Sequence, residues 1–249
     1  MEPESNGTRS ALSYLSEFMP HPQRSLVFSN VSDLDVSKLL AELQLNKATG
    51  LDNFQSKLLK IASPAISNSL AYIFNKSLQT GSIPDEWKSA RVSAIFKKGT
   101  RTDPGNYRPI SILPIVSKLL EKIVHSQLYK FCSENQILCL EQSGFRPKHS
   151  TQTSLHKLTE TIHDELHKKK VVGLVALDLK KAFDTVDHSI LLSKLEHYGI
   201  SGTGLHWFRS YLTGRNQRAC INGNLSDSLE IHTGVPQDQY WVCCSSFFI

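Results

Sequence analysis

Seven consecutive apolar residues, Val171-Val-Gly-Leu-Val-Ala-Leu177, run straight into Asp178. No other feature limits the fold of this chain so much. The run is far too short to cross a bilayer, and it lacks the apolar/polar alternation of a half-wet strand. It reads as a strand buried on both faces, inside a sheet covered by helices. Side chains in such a strand can hold no metal or substrate, but the first residue beyond it can face a cleft. Asp178 stands at that position. A carboxylate at a strand end is held firmly and suits a hard divalent cation such as Mg²⁺. The same residue could equally cap a helix beginning at Leu179, and the local signal leaves both readings open. Asp184 and Asp187 read as structural residues in the turn that follows.

The rest of the chain is ordinary globular material. With 249 residues, 40% apolar and 20% charged, it is neither a disordered, a collagen-like nor a disulfide-scaffold sequence. That length suits one large domain or two small ones. The opening MEPESNGTRS has no apolar core of a secretory signal. Five scattered cysteines without a C-x-x-C pair suggest reduced thiols inside a cell, nuclear or cytoplasmic alike. His156, His163 and His167 can share a helical face, but no cysteine or carboxylate joins them at ligand spacing, so a solvated face is expected.

Residues 1–30 show little periodicity and read as a loose arm. Ser32 and Asp35 have capping-box spacing for a helix that buries Val36, Leu39, Leu40 and Leu43. A polar link covers residues 46–53. Two helical stretches follow, one carrying Phe54, Leu58, Leu59 and Ala62, the next carrying Ile66, Leu70, Phe74 and Leu78 and stopping at Gly81. The pattern changes at Ile83-Pro84. Residues 91–96 read as a strand, 97–107 as a turn-rich loop and 109–113 as a return strand. A helix over 117–132 turns Leu119, Leu120, Ile123, Val124, Leu128 and Phe131 inward. Beyond a Gly- and Pro-bearing loop at 142–149, a helix from 150 to about 169 carries Leu155, Leu158, Ile162 and Leu166 on one face. Helices over 189–198 and about 205–212 close at Gly199 and Gly214, and residues 217–221 and 229–232 read as paired strands. The order is α+β.

Charge is unevenly spread. Residues 1–50 hold four Lys/Arg and six Asp/Glu, so the remainder carries +7 of the net +5. Lys88, Arg91, Lys97, Lys98, Arg101 and Arg108 fall in one short stretch with Asp103 as its single acid. Such a cluster suits phosphate contact or a solvated charged surface.

The stretch LDLKKAFDTVDHSILLSKL, from Leu177, resembles motif A of the reverse transcriptases of non-LTR (LINE-type) retrotransposons. Further segments agree in order. KATGLD (Lys47–Asp52) resembles the segment that precedes the polymerase fingers. IPDEWK (Ile83–Lys88), FKKG (Phe96–Gly99) and NYRPIS (Asn106–Ser111) resemble the fingers motifs. QSGFRP (Gln142–Pro147) resembles the template-side motif, and TGVPQ (Thr233–Gln237) the opening of motif B. Each string alone is a weak signal, whereas their order over about residues 35–237 is specific. The resemblance implies an α+β right-hand polymerase. A helix-rich N-terminal extension would occupy residues 31–82. Fingers and an incomplete palm would occupy 83–249, with the thumb absent.

In that family a primer 3′-hydroxyl attacks the α-phosphate of a deoxynucleoside triphosphate, assisted by two Mg²⁺ ions. By resemblance, Asp178 is the catalytic carboxylate that binds both ions, and the Leu179 carbonyl is a further ligand. Lys97 and Arg108 match the residues that hold the triphosphate, Arg108 as a bidentate fork and Lys97 as a point charge. Phe183 matches the aromatic steric gate that leaves no room for a 2′-hydroxyl, and Gln237 the residue beneath the template base and nucleotide. Lys98, Arg101, Gly144, Phe145, Arg146 and Pro147 are expected along the nucleic acid, glycine letting backbone approach and arginine contacting phosphate. The run Lys168–Lys170 reads as solvated. An RNA template, a DNA primer and deoxynucleoside triphosphates are the implied partners, with no membrane. The alternative is a catalytically dead nucleic-acid-binding remnant.

Two departures from the family stand out. No Asp-Asp dipeptide occurs in the 249 residues, although the family's aromatic-x-Asp-Asp motif supplies the other metal carboxylates. Neighbouring palm strands are missing with it, and a run at 171–177 with an open edge invites aggregation. Secondly, after Gly-Val-Pro-Gln the family continues Gly-Ser-(Ile/Val)-Leu-Gly-Pro-Leu-Leu-Phe, whereas residues 238–249 read DQYWVCCSSFFI. Asp-Gln-Tyr-Trp-Val-Cys-Cys requires GAY CAR TAY TGG GTN TGY TGY. Regrouped from the last base of the Gln237 codon, taken as G, the triplets become GGA, YCA, RTA, YTG, GGT, NTG and YTG. They encode Gly, Ser or Pro, Ile or Val, Leu, Gly, then Leu, Met or Val, then Leu. Over these seven triplets that is the family's string at every position but the proline. A one-base frame slip at Gln237–Asp238 is therefore expected, with residues 238–249 as an out-of-frame tail.

Overall fold

The computed structural model describes residues 22, 24–139, 141–179 and 181–236. Most of the N-terminal arm, Gln237 and the tail lie outside these residues. Helix α1 (Asp33–Ala41) starts where its sequence says, because the Ser32 hydroxyl accepts from the Asp35 N–H while the Asp35 carboxylate accepts from the Ser32 N–H. Its Val36 and Leu40 are fully buried, with Leu39 and Leu43 partly so.

The two helical stretches expected over residues 54–78 are one helix, α2 (Ser56–Thr80), 25 residues long with Pro64 inside it. A proline in a helix interior costs about 3 kcal/mol. The helix continues because its buried stripe does: Leu59, Ser63, Ser67, Ala71, Phe74 and Leu78 keep one face at helical spacing through the proline. Phe54 and Leu58 are half exposed, so the expected inward face was rotated for its first turn. Gly81 ends α2 at φ 67°, and a Cβ there would sit 2.9 Å from the Thr203 carbonyl oxygen.

Helix α3 (Ile115–Glu134) is the spine of the core, with Leu119, Leu120, Ile123, Val124, Leu128 and Phe131 all buried as expected. Helix α4 (Thr151–His167) buries no residue, and its Leu155, Leu158 and Leu166 remain exposed. Here the capping residue Ser150 and the side-chain pairs on its surface organise the helix, not packing. His156 pairs with Glu160, which fits the expected solvated face. Asp187 caps α5 (His188–His197) by accepting from the Ser189 and Ile190 N–H groups. Gly199 closes it at φ 80°. Helix α6 (Gly202–Leu212) then sends Trp207, Phe208 and Tyr211 into the core.

The sheet joins two hairpins. Strands β1 (Ser89–Phe96) and β2 (Tyr107–Ile112) pair antiparallel from Arg91↔Ile112 to Phe96↔Tyr107. Strand β3 (Arg215–Ile221) pairs antiparallel with β4 (Asn224–Leu225) and β5 (Leu229–Ile231). Between the hairpins, β1 and β3 run parallel, giving the order β2-β1-β3-β4 with β5 also on β3. The molecule is thus α+β.

Residues 171–177 are not the buried strand that their composition suggested. They have no regular structure, and Val171, Leu174, Val175 and Leu177 are 100, 66, 82 and 89% exposed. Among the described residues no strand pairs with them. Apolar side chains favour burial, but a strand exists only when a neighbour takes up its N–H and C=O groups. The alternative role of Asp178 as a helix cap also falls, since turns and not a helix follow it.

A buried polar cluster ties α3 to α6 and β3. Glu121, 3% exposed, accepts from the Tyr211 hydroxyl at 3.0 Å. The Arg215 guanidinium, equally buried, lies 4.6 Å over the Tyr211 ring and donates to the Tyr211 carbonyl at 2.9 Å. Burial pushes the Glu121 carboxyl up from 4.5 to about 7, against the pull of Arg215 and the Tyr211 hydroxyl. The fold therefore favours the protonated acid. Its contribution is fully present below the unfolded value and lost as pH rises through the folded one, a change of about 3 kcal/mol. Denaturant unfolding is expected to show wild type losing about that amount relative to Glu121→Gln between pH 5 and pH 8, while His125, held below its usual value by burial, adds an opposite slope to both proteins. The same pH slope in both proteins would mean that Glu121 is ionised in both states.

Candidate nucleic-acid interface

The tip of the β1–β2 hairpin is a rigid loop. The Lys97 N–H donates to the Asn106 carbonyl at 2.8 Å, and the Asn106 amide donates to the Thr100 carbonyl at 2.9 Å. The Tyr107 hydroxyl donates to the Arg101 carbonyl, and the Arg101 guanidinium lies 5.1 Å over the Phe96 ring. Gly99 is required here: its φ is 92°, and a Cβ would sit 2.6 Å from the Asn106 amide nitrogen. The fold of the loop leaves Lys97, Lys98 and Arg101 exposed at the tip, with Arg108 exposed on β2 opposite Ile95. None of the four forms an ion pair among the described residues. Asp103, the acid of this stretch, accepts from the Gly105 N–H.

A second constellation forms around Phe183. Its carbonyl accepts from the Val235 N–H at 2.9 Å, and the Val186 carbonyl accepts from the Gly234 N–H at 2.8 Å. The His188 ring nitrogen Nε2 lies 2.7 Å from the Gly234 carbonyl. Gly234, at φ 82°, admits no side chain, since a Cβ would meet the Asp184 carbonyl at 2.7 Å. So the turn after Asp178 and the Gly-Val-Pro segment are clasped together. Phe183 is half-buried against the core and meets Phe145 edge-on at 6.2 Å between ring centroids. That contact brings the loop at 142–149 to the same place. Arg146 spends its Nη1 on the carbonyls of Cys139 and Gln142, so it holds its own loop together. Gly144 has open space before it, and Pro147 is exposed.

A cavity of about 440 Å³ lies between this clasp and the sheet, lined among others by Val92, Ser111, Gln217, Asp184, Gly234 and Pro236. The sequence reading passed over Arg215 and Gln217, which also line it. Both sit in a segment whose only signal was strand alternation, and their approach to the cavity depends on the β1/β3 pairing.

Asp178 and Leu179 are exposed on the unpaired run. A carboxylate and a backbone carbonyl are the right donors for a hard cation. No cluster of three metal-ligating side chains occurs among the described residues. Asp187 is committed to its helix cap. These residues alone do not make a Mg²⁺ site.

Residues 95–237 match the family described as reverse transcriptase (RNA-dependent DNA polymerase). The matched span is more than half of the chain and contains the basic hairpin tip, Arg108, Asp178 and the Phe183 clasp. The chain belongs to the reverse transcriptase family. Its relatives place it within the non-LTR, LINE-type branch. The probable RNA-directed DNA polymerase from transposon BS of Drosophila melanogaster is 32% identical over 222 residues, 86% of this chain and 24% of that protein. The RNA-directed DNA polymerase from the mobile element jockey of the same species is 32% identical over 225 residues, 90% of this chain and 24% of the relative. A Pol polyprotein from the type-1 retrotransposable element R2 of Popillia japonica is 32% identical over 138 residues, 55% and 18% of the two chains. This reverse transcriptase chain therefore spans about a quarter of the length of the first two relatives. No helix among its described residues is long and apolar enough to cross a membrane.

Proposed function

We propose that this chain is the part of a retrotransposon reverse transcriptase that receives template and incoming nucleotide, its fingers and the first part of its palm. The observation that carries the reading is the hairpin tip, where a rigid loop holds Lys97, Lys98 and Arg101 outward without carboxylate partners, with Arg108 behind them on β2. Positive charge held out without a protein partner suits an anionic one. In this reading Lys97 and Arg108 hold the triphosphate, Arg108 through its planar fork. Lys98, Arg101 and residues 144–147 follow an RNA template paired to a DNA primer. Phe183, fixed by its clasp to Val235, stands under the sugar and excludes a 2′-hydroxyl. Gln237 comes next after that clasp in sequence, and the family resemblance gives it the role beneath the base pair. Asp178 and the Leu179 carbonyl are the chain's share of the family's Mg²⁺ ligands, and further carboxylates must join them.

Reversing two tip charges, Lys97→Glu with Arg101→Glu, tests the assignment. Binding to an RNA–DNA hybrid should weaken, and the slope of log affinity against log salt should fall by about one to two phosphate contacts. An unchanged affinity and slope would remove this loop from the interface.

A further inference from the structure

The parallel register of β1 and β3 sets Arg91 directly opposite Arg218. Ladder partners point to the same side of a sheet, and successive residues alternate. Ala90, Val92, Ser111 and Gln217 line the cavity on one face. Arg91 and Arg218 therefore share the opposite face, and so does Arg108, the neighbour of Ile95. Like charges directly opposite each other destabilise a sheet. No carboxylate offsets them, since neither arginine forms an ion pair among the described residues. Glu230, the ladder partner of Asn216, lines the cavity and lies 4.0 Å from the His232 ring instead. Arg218 is held by its Nε, which donates to the Ser226 carbonyl at 2.8 Å and leaves the end of the fork uncommitted. The Arg91 Nε is buried with no hydrogen-bond partner.

We propose that Arg91 and Arg218 form a phosphate clamp that holds a nucleic-acid backbone on the face of the sheet turned away from the cavity. Two planar forks side by side can grip the oxygens of one phosphate, and the anion relieves their repulsion. A polymer suits the face better than a free phosphate. Arg108, proposed above to hold the incoming nucleotide's triphosphate, stands on β2 beside Ile95, about 13 Å along β1 from Arg91 at roughly 3.3 Å per residue, so the strand beside that nucleotide can reach the clamp. The polar Ser93 and the small Cys220, ladder partners of each other, fill the row between. The proposal rests on the reading of the chain as a nucleic-acid-binding polymerase segment, but not on the role of the hairpin tip.

The test uses the whole chain and a short single-stranded RNA. Arg91→Gln with Arg218→Gln should weaken binding about tenfold and lower the salt slope by about 0.7 to 1.4, one or two phosphates on a single strand. The melting temperature should hold or rise, because a like-charge pair has gone. If this variant does not fold, Arg91→Lys with Arg218→Lys keeps the charge and loses the fork, and should weaken binding with the slope retained. Inorganic phosphate separates a polymer site from a free-anion site. Phosphate that raises the melting temperature of wild type, with RNA binding equal in wild type and the glutamine variant, would overturn the proposal. So would equal affinity and slope in all variants while the tip variant loses binding. No RNA or hybrid binding by wild type would overturn the underlying reading along with it.

Discussion

Primer extension by the purified 249-residue chain is expected to stay at background. Restoring one base between the codons of Gln237 and Asp238 is the change expected to bring it back. Nucleotidyl transfer of this kind needs metal ions held by more than one carboxylate. The sequence contains Asp178 but no Asp-Asp dipeptide, and the described residues gather no metal-binding cluster around it. Losing the metal site removes the chemical step itself, so the deficit should reach at least about a million-fold, the lower end of what enzymes supply. With the Gln237 codon ending in G, the seven regrouped codons after it can spell six of the family's next seven residues. Sequencing the locus should therefore find those triplets, with an Asp-Asp motif downstream in the same frame. Nucleotides that do not regroup in this way would refute the slip. Extension above background by the 249-residue chain would refute the claim of inactivity, whatever the locus reads.

Trp207→Ala should be the most destabilising single substitution in the helical part of the molecule. Trp207 is 1% exposed, stacks on Tyr211 at 5.6 Å and meets Phe28 and Phe208 edge-on at 6.0 and 5.2 Å. Its indole N–H donates to the Ser77 hydroxyl at 3.1 Å, which ties α6 to α2. Removing a buried tryptophan leaves a cavity and costs about 3–5 kcal/mol, about a fifth or more of the stability of an ordinary domain. Trp207→Phe fills most of the space and loses mainly the hydrogen bond, about 1 kcal/mol. Unfolding in urea followed by helical circular dichroism measures both. A loss below about 1 kcal/mol for the alanine variant would mean that α2, α3 and α6 do not unfold as one core.

What the sequence disclosed divides by distance along the chain. The capping box at Ser32, the inward stripe of α3 and both hairpins are written in neighbouring residues, and they formed as read. The two stretches expected over residues 54–78 form one helix, because a buried stripe that only tertiary packing rewards carries it through Pro64. Residues 171–177 misled: composition declares a wish for burial and says nothing about a strand to pair with. The parallel β1/β3 register is invisible to any local pattern, and Arg215 and Gln217 reach the cavity, and Arg91 meets Arg218, only through it. The basic hairpin tip was legible as a charge cluster and the Phe183 turn as a motif. That Phe183, Phe145 and Val235 meet was not, since that contact joins three separate parts of the chain.

The clasp between Phe183–Val186 and Gly234–Val235 sets where this chain can change length. Helices α5 and α6 and strands β3–β5 all lie between its two halves, as a loop drawn shut at its base. Residues added at the exposed turn between β3 and β4 would lengthen the loop and leave its base as it is. One residue lost from 184–187 would be different. It would slide Phe183 against Val235 and misalign the two halves, although every helix could remain intact. Insertions and deletions tolerated in relatives should therefore crowd the far end of this loop and avoid its neck.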